Sequence, residues 1–226
     1  LINDRYVLTA AHCLKTKKPL VAVRLGDFNV TTEKDCVKHS SFEEECSDPV
    51  QEIDIDETIP HPWFNARSGL NDIGLVRLSQ KVVFSDYVRP ICLPASTNLT
   101  FKDEEEFAVS GWGLLEYGHN RTTVKKKVPT KFVTNEKCKE LYRNTSRPIS
   151  AFQICAIEYD SITCQGDSGG PLMLSIKSQW EQVGVLSFGI GCGTYFPTVY
   201  TNTASYLNWI KEKLKNQMII KLHTKL

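Results

Sequence analysis

The stretch that most constrains how this chain can fold is Cys164-Gln165-Gly166-Asp167-Ser168-Gly169-Gly170-Pro171. Glycines at three of its positions open backbone conformations closed to other residues, so the stretch reads as a tight loop. Apolar, β-prone runs at 152–157 and 171–174 read as the strands that flank it. The loop presents one serine with an acid directly before it. Serine is a weak nucleophile until a base takes its proton, and glycine lets backbone N–H groups come close to a reacting carbonyl. In that reading the amides of Gly166 and Ser168 hold an oxyanion. A glycine turn with a solvated serine is the competing reading of the bare Gly-Asp-Ser-Gly core, and the surrounding Cys164 and Pro171 weigh against it.

Two further stretches supply the groups such a serine needs. Leu8-Thr9-Ala10-Ala11-His12-Cys13 holds a histidine in small, apolar surroundings, and Asn71-Asp72-Ile73-Gly74-Leu75-Val76-Arg77-Leu78 holds one acid at the head of an apolar run. Alone, Asp72 would be an ordinary turn acid before a strand. With His12 and Ser168 it completes a base, an orienting acid and a nucleophile in the chain order His, Asp, Ser of one known catalytic triad. On TAAHC, DIGLVRL and CQGDSGGP, present in that order, the chain resembles the trypsin/chymotrypsin-like serine endopeptidases over nearly its whole length. The order of the three groups argues against an α/β-hydrolase.

At 226 residues the chain could be one or two domains, and all-β proteins of this size commonly form one compact unit. A composition 41% hydrophobic and 23% charged is ordinary for a soluble globular protein. A net charge of +1 gives no reason to expect a nucleic-acid partner. The short runs Glu104-Glu105-Glu106 and Lys125-Lys126-Lys127 read as solvated loops. No run is long and apolar enough for a membrane span. The chain begins inside a strand-like stretch, Leu1 to Leu8, and reads as a fragment, so the lack of a leader carries no weight. Eight cysteines without Cys-x-x-Cys pairs suggest disulfides, not zinc. Sequons at Asn29, Asn98, Asn120 and Asn144 agree with a secretory route and an extracellular protein.

Further strands read at 6–11, 20–25, 53–59, 73–78, 106–113, 131–133, 180–187 and 197–200. Cys36 and Cys46 close the polar loop at 31–52 on itself. Pro60-His61-Pro62 stops the strand before it, and His61, between two prolines, reads as a surface or packing histidine. A short helix is expected at 135–143. Tyr206, Leu207, Trp209, Ile210 and Leu214 share one face of a terminal amphipathic helix. No helix–strand alternation suggests a parallel sheet. With the resemblance, the expected fold class is all-β: two packed antiparallel β-barrels, chymotrypsin-like, with a C-terminal α-helix. Residues 1–94 would form the first barrel, with its first strand missing, 95–203 the second, 204–217 the helix and 218–226 a tail. The site would lie in the cleft between barrels.

The resemblance implies a secreted serine endopeptidase that hydrolyses peptide bonds through an acyl-enzyme, is activated from a zymogen and acts in an extracellular proteolytic cascade. His12 would be the base, Asp72 its orienting acid and Ser168 the nucleophile. Ser187, Phe188 and Gly189 would pair with the substrate backbone, and Ile162, Thr163, Gly189 and Thr198 would shape the primary pocket. Trypsin-like members carry an aspartate six residues before the serine. Ile162 stands there in this chain, so an apolar, leucine-sized preference is expected unless Asp160 reaches the pocket. Asp167 is the acid that pairs with the new amino terminus made by activation, and without an IVGG-like start the chain alone is expected to be inactive. The implied disulfides are Cys36–Cys46, Cys138–Cys155 and Cys164–Cys192, with Cys13 and Cys92 joined to segments outside the sequence. Phe107 and Leu174 stand where many members have a further disulfide and are expected to pack as apolar neighbours. The small Cys36–Cys46 ring resembles the arthropod clip-domain branch. Asp27 and nearby carbonyls form a candidate calcium loop, with no cofactor otherwise required. Implied partners are protein substrates, serpin-type inhibitors, an upstream activating protease and a disulfide-linked light chain or clip domain, with no nucleic acid and no membrane. A non-catalytic, protease-like cofactor is the competing function, and the intact His12, Asp72 and Ser168 argue against it.

Overall fold

The computed structural model describes residues 1–38, 44–113, 122–158, 166–191 and 194–223, with the side chains of 216–223 left aside. Its first part carries β1 (Tyr6–Thr9), α1 (Ala11–Leu14), β2 (Ala22–Leu25), β3 (Cys36–Lys38), β4 (Glu44–Cys46), β5 (Gln51–Pro60) and β6 (Gly74–Leu78). These form an antiparallel sheet in the order β1-β6-β5-β2 and a separate β3-β4 hairpin. A first barrel short of its first strand was the expectation, and the described strands make an open half-barrel sheet. Four strands, with β1 and β2 as its edges, are too few to curl round and meet.

The second part carries β7 (Glu106–Gly111), β8 (Lys126–Val133), α2 (Asn135–Tyr142), β9 (Gln153–Ile157), β10 (Pro171–Ile176), β11 (Gln179–Phe188) and β12 (Thr198–Asn202). Its strands close into an antiparallel barrel in the order β10-β11-β12-β9-β8-β7. The contact that closes it sets Leu172 opposite Val109 and Met173 opposite Ala108. Thr134 caps α2, its hydroxyl accepting from the Lys137 N–H at 3.4 Å. A 3-10 turn, Thr203–Tyr206, leads into α3 (Leu207–His223). The helix therefore runs past the 204–217 span expected of it and takes in most of the segment read as a tail. Residues 211–223 hold no glycine or proline, so nothing in them stops a helix.

Alternating apolar side chains fill the barrel: Val109, Ile154, Leu172, Val183 and Tyr200 are all buried in one cluster, which also takes in Phe107 with Leu174 packed against it. A second cluster ties the two parts together. Leu8, Ala10, Ile73 and Leu75 of the open sheet meet Val185 of the barrel and Tyr206 and Ile210 of the C-terminal helices. The leucine, isoleucine and valine side chains among them each contribute roughly 1.5–3 kcal/mol by leaving water. That junction anchors the ends of β1 and β6 against β11.

His61 sits at the edge of this junction and is a packing residue. It is only 6% exposed, with the rings of Trp63, Tyr206 and Trp209 at 5.9, 5.3 and 5.0 Å. Its Nδ1 accepts from the Trp63 backbone N–H at 3.3 Å. Burial, and secondarily the charge of Lys213, lowers its pKa. The folded protein thus favours the neutral ring, while the unfolded chain takes up a proton near the ordinary value of about 6.5. Stability from this site is present above that value and lost as pH falls through the folded pKa. The melting temperature should therefore fall between about pH 7.5 and about pH 5, and His61→Gln should flatten that dependence. An unchanged slope in the variant would count against the assignment.

Candidate active site

Asp72 is placed by the residue before it. Asn71 adopts a left-handed φ of 55°, which asparagine tolerates better than most residues. Its Nδ2 donates to the Trp63 carbonyl at 2.8 Å, and its Oδ1 accepts from the Tyr206 hydroxyl at 2.9 Å. The turn sends the Asp72 side chain inward, leaving the residue 2% exposed. A carboxylate so buried needs strong donors. Its Oδ1 accepts from the His12 backbone N–H at 2.9 Å. Its Oδ2 accepts from His12 Nδ1 at 2.7 Å and from Ser187 Oγ at 2.6 Å. Thr201 Oγ1 donates to the Asp72 carbonyl at 2.8 Å, tying β12 to the same point.

His12 lies on α1, directly after β1. With Nδ1 held by the carboxylate, Nε2 is the nitrogen left to exchange a proton. The Asp72 hydrogen bond is the main cause that raises the His12 pKa, the contact with Cys13 adds to it, and burial opposes both. Cys13 Sγ stands 3.5 Å from Nε2 and 3.5 Å from the Ser168 carbonyl oxygen. No hydrogen bond joins Ser168 Oγ to Nε2 among the described residues.

The serine loop is brought to His12 by glycine. Gly169 has φ 81°, and a Cβ there would overlap Thr9 Oγ1 and press on Cys13 Sγ. Only a residue without a side chain lets the loop approach β1 this closely. The Gly169 N–H donates to the Leu186 carbonyl and the Gly170 N–H to the Asp167 carbonyl, each at 2.9 Å. Gly166, at φ 112°, and Ser168 donate their amides to no acceptor among the described residues. Asp167 is half-buried, with Oδ1 accepting from the Gly113 N–H at 2.8 Å. Any side chain at Gly111 or Gly113 would overlap its carboxylate.

Ser187, expected only to meet substrate, also supports Asp72. A Cβ built on Gly189 would stand 3.7 Å from Thr198 Oγ1, so these two share one wall. Ile162, Thr163, Asp160, the Cys164–Cys192 pair and Asn120 lie outside the described residues. Cys36–Cys46 and Cys138–Cys155 are disulfides, while Cys13 and Cys92 are free thiols in this chain. Asn98 and Asn144 are exposed and Asn29 is half-buried, its Oδ1 engaged by the Thr31 hydroxyl at 2.8 Å.

The Asp27 loop does not fit calcium. Asp27 Oδ2 accepts from Arg24 Nε at 2.9 Å and its carbonyl from Lys125 Nζ at 3.3 Å. The Phe28 carbonyl already accepts from Trp112 Nε1 at 3.0 Å and the Lys125 N–H at 2.8 Å. Calcium takes about six to eight oxygens, and of these groups only the buried Asp27 Oδ1 lacks a partner. Two cationic side chains stand where a cation would. The one cluster of metal-ligating types among the described residues, Cys36, Glu44 and Cys46, has both sulfurs in a disulfide.

An exposed serine on a glycine loop, beside an imidazole held by a buried acid at the junction of two antiparallel β units, is the architecture of a trypsin-type hydrolase. The chain belongs to the trypsin family: the family model described as Trypsin matches residues 1–210. It is 42% identical over 231 residues to the CLIP domain-containing serine protease HP8 of Bombyx mori, covering 95% of this chain and 60% of that protein. It is 37% identical over 229 residues to Melanization protease 1 of Drosophila melanogaster, covering 95% and 57%. Among solved structures it resembles the Drosophila Grass clip serine protease of the Toll pathway, with a TM-score of 0.80 at 30% identity, covering 95% of this chain and 63% of that one. The chain thus spans less than two thirds of the length of these relatives. No helix among the described residues is long and apolar enough to cross a membrane.

Proposed function

We propose that the chain is the catalytic domain of a secreted serine endopeptidase made as a zymogen. The observation that carries this reading is the Asp72 carboxylate on His12 Nδ1 at 2.7 Å, beside an exposed serine whose loop leaves two amides without acceptors among the described residues. His12 Nε2 takes the Ser168 proton as Oγ bonds to the scissile carbonyl carbon. The carbonyl electron pair moves to oxygen, where the Gly166 and Ser168 N–H groups receive it. His12 then gives its proton to the leaving amine as the C–N bond breaks, and water repeats the sequence on the acyl-enzyme. Pairing of Cys13 with a cysteine outside this segment would draw its thiol away from Nε2. An activation-made amino terminus pairing with Asp167 would fix the oxyanion amides. A fluorophosphonate probe applied to the activated full-length protein should label Ser168, and absence of labelling would overturn the reading.

The relatives named Melanization protease 1 and Phenoloxidase-activating enzyme support a cascade protease with a protein substrate and an upstream activator. A serpin-type inhibitor and a disulfide-linked clip domain or light chain belong to the same reading. Two disulfides and the exposed sequon asparagines favour the secretory route.

For the primary pocket we propose apolar specificity. Ile162 replaces the trypsin-like aspartate, and Thr198 adds bulk beside Gly189. A basic side chain would be buried there without a counter-charge, at a selectivity cost of about a thousand-fold. A leucine-sized one gains roughly 1.5–3 kcal/mol. Peptides differing only in the residue before the cleaved bond should rank leucine above arginine. The reverse ranking would refute the proposal and implicate Asp160.

A further inference from the structure

Phe188, the last residue of β11, is buried. Its ring meets Tyr142 edge-on at 6.0 Å, and a Cβ at Gly69, where φ is 71°, would overlap it. The Tyr142 hydroxyl is fixed in turn by the Pro197 carbonyl at 2.8 Å. Over the ring lies the guanidinium of Arg147, 4.6 Å from the centroid. The loop that delivers it is rigid: the Arg147 N–H donates to Thr145 Oγ1 at 3.2 Å, and that hydroxyl donates to the Tyr142 carbonyl at 2.8 Å. Arg147 is half-buried, yet its side chain has no hydrogen-bond acceptor and no carboxylate partner among the described residues. A guanidinium lying over a ring without other partners has N–H groups left to meet a carboxylate. The adjoining groove is lined by Lys139 and Arg143, with Glu140 also in it, so basic groups outnumber the acid.

The position of this cation relative to the chemistry follows from β11. Strand β10 leaves β11 after the Pro171–Val185 pair, so among the described residues Ser187 to Gly189 are flanked by a strand on one side only, by β12. Ser187 Oγ holds Asp72, which puts this open edge beside the reacting groups. A substrate strand added there advances about 3.4 Å per residue. Phe188 and the guanidinium above it then face substrate residues two to four positions before the cleaved bond.

We propose that Arg147, stacked on Phe188, is a specificity-determining residue that selects substrates with an aspartate or glutamate two to four residues before the cleaved bond. This deepens the endopeptidase reading and rests on it. The substrate class is an acidic segment followed by an apolar residue at the cut.

The test uses the activated full-length protein and peptides that share one apolar residue at the cut. They carry glutamate, alanine or lysine at the second, third or fourth position before it. With the wild type, kcat/KM should be about three- to tenfold higher for glutamate than for alanine at one of these positions, and lower still for lysine. The preference should shrink as salt rises. Arg147→Ala should abolish it, and Arg147→Glu should invert it toward lysine while leaving cleavage of the alanine peptides within about twofold. An unchanged glutamate preference in Arg147→Glu, or none in the wild type, overturns the subsite alone. A protein that cleaves none of the peptides and takes no fluorophosphonate at Ser168 overturns the endopeptidase reading, and this proposal with it.

Discussion

The activated full-length Ser168→Ala protein is expected to hydrolyse peptides about a million-fold more slowly than the wild type, by analogy with removal of the nucleophile in subtilisin. Its thermal stability should hardly change. Ser168 is exposed, and its side chain takes part in no hydrogen bond among the described residues. A surface substitution of this kind shifts stability by about 0.5 kcal/mol or less. The conformation of the loop is set by the backbone bonds of Gly169 and Gly170 and by the left-handed glycines, none of which depends on the serine hydroxyl. The measurement is turnover of a leucine-type peptide set beside a melting curve. Wild-type-like turnover would remove Ser168 from the mechanism, and a lost melting transition would show that the hydroxyl has a structural role.

Local chemistry was legible where the backbone itself demands a residue type. Gly166 and Gly169 stand at positive φ, and the octet around them announced a loop. Small residues around His12 and an acid heading an apolar run announced the other two stretches. The alternation of apolar residues located most strands but missed their ends: β8 begins at Lys126, inside a run read as solvated loop, because pairing with Ser110 and Gly111 holds it in the barrel. What the sequence could not disclose was support from afar. Ser187, Thr201 and Tyr206 reach Asp72 or Asn71 across 115, 129 and 135 residues, and nothing local distinguishes their hydroxyls from any others. Arg147 carries no local signal for the same reason, since it sits on a loop and its partner is a ring at the end of β11. At Asp27, a candidate cation site on composition turned out to be filled by Arg24, three residues earlier on the same stretch.

Those remote hydroxyls decide what Asp72→Asn should do. The Asp72 carboxylate only accepts, and both His12 Nδ1 and Ser187 Oγ donate to the same oxygen, Oδ2. Oδ1 is occupied by the His12 backbone N–H. An asparagine must place an NH2 group at one of these two positions. At Oδ1 it would face the His12 backbone donor, so the better choice puts NH2 toward Nδ1 and Ser187. Ser187 can rotate its hydroxyl to accept, but Nδ1 must then accept as well, which moves the ring proton to Nε2. Nε2 is the nitrogen required to take the serine proton, so the favoured tautomer is the wrong one. The corresponding change in the triad of trypsin lowers kcat about ten-thousand-fold, and a loss of about that order is expected here. The pH dependence supplies a second readout. The carboxylate is the chief cause of the raised His12 pKa, so removing its charge lets the ring lose its proton at lower pH. The acid limb of kcat/KM should move to lower pH even as the plateau collapses. The linkage runs the same way: stability from the raised His12 pKa is fully present below the unfolded value of about 6.5 and fades as pH rises through the folded one. The variant should therefore lose most of its stability difference from wild type on going to alkaline pH. An acid limb that stays in place, or moves upward, would mean that Asp72 does not set the protonation of His12.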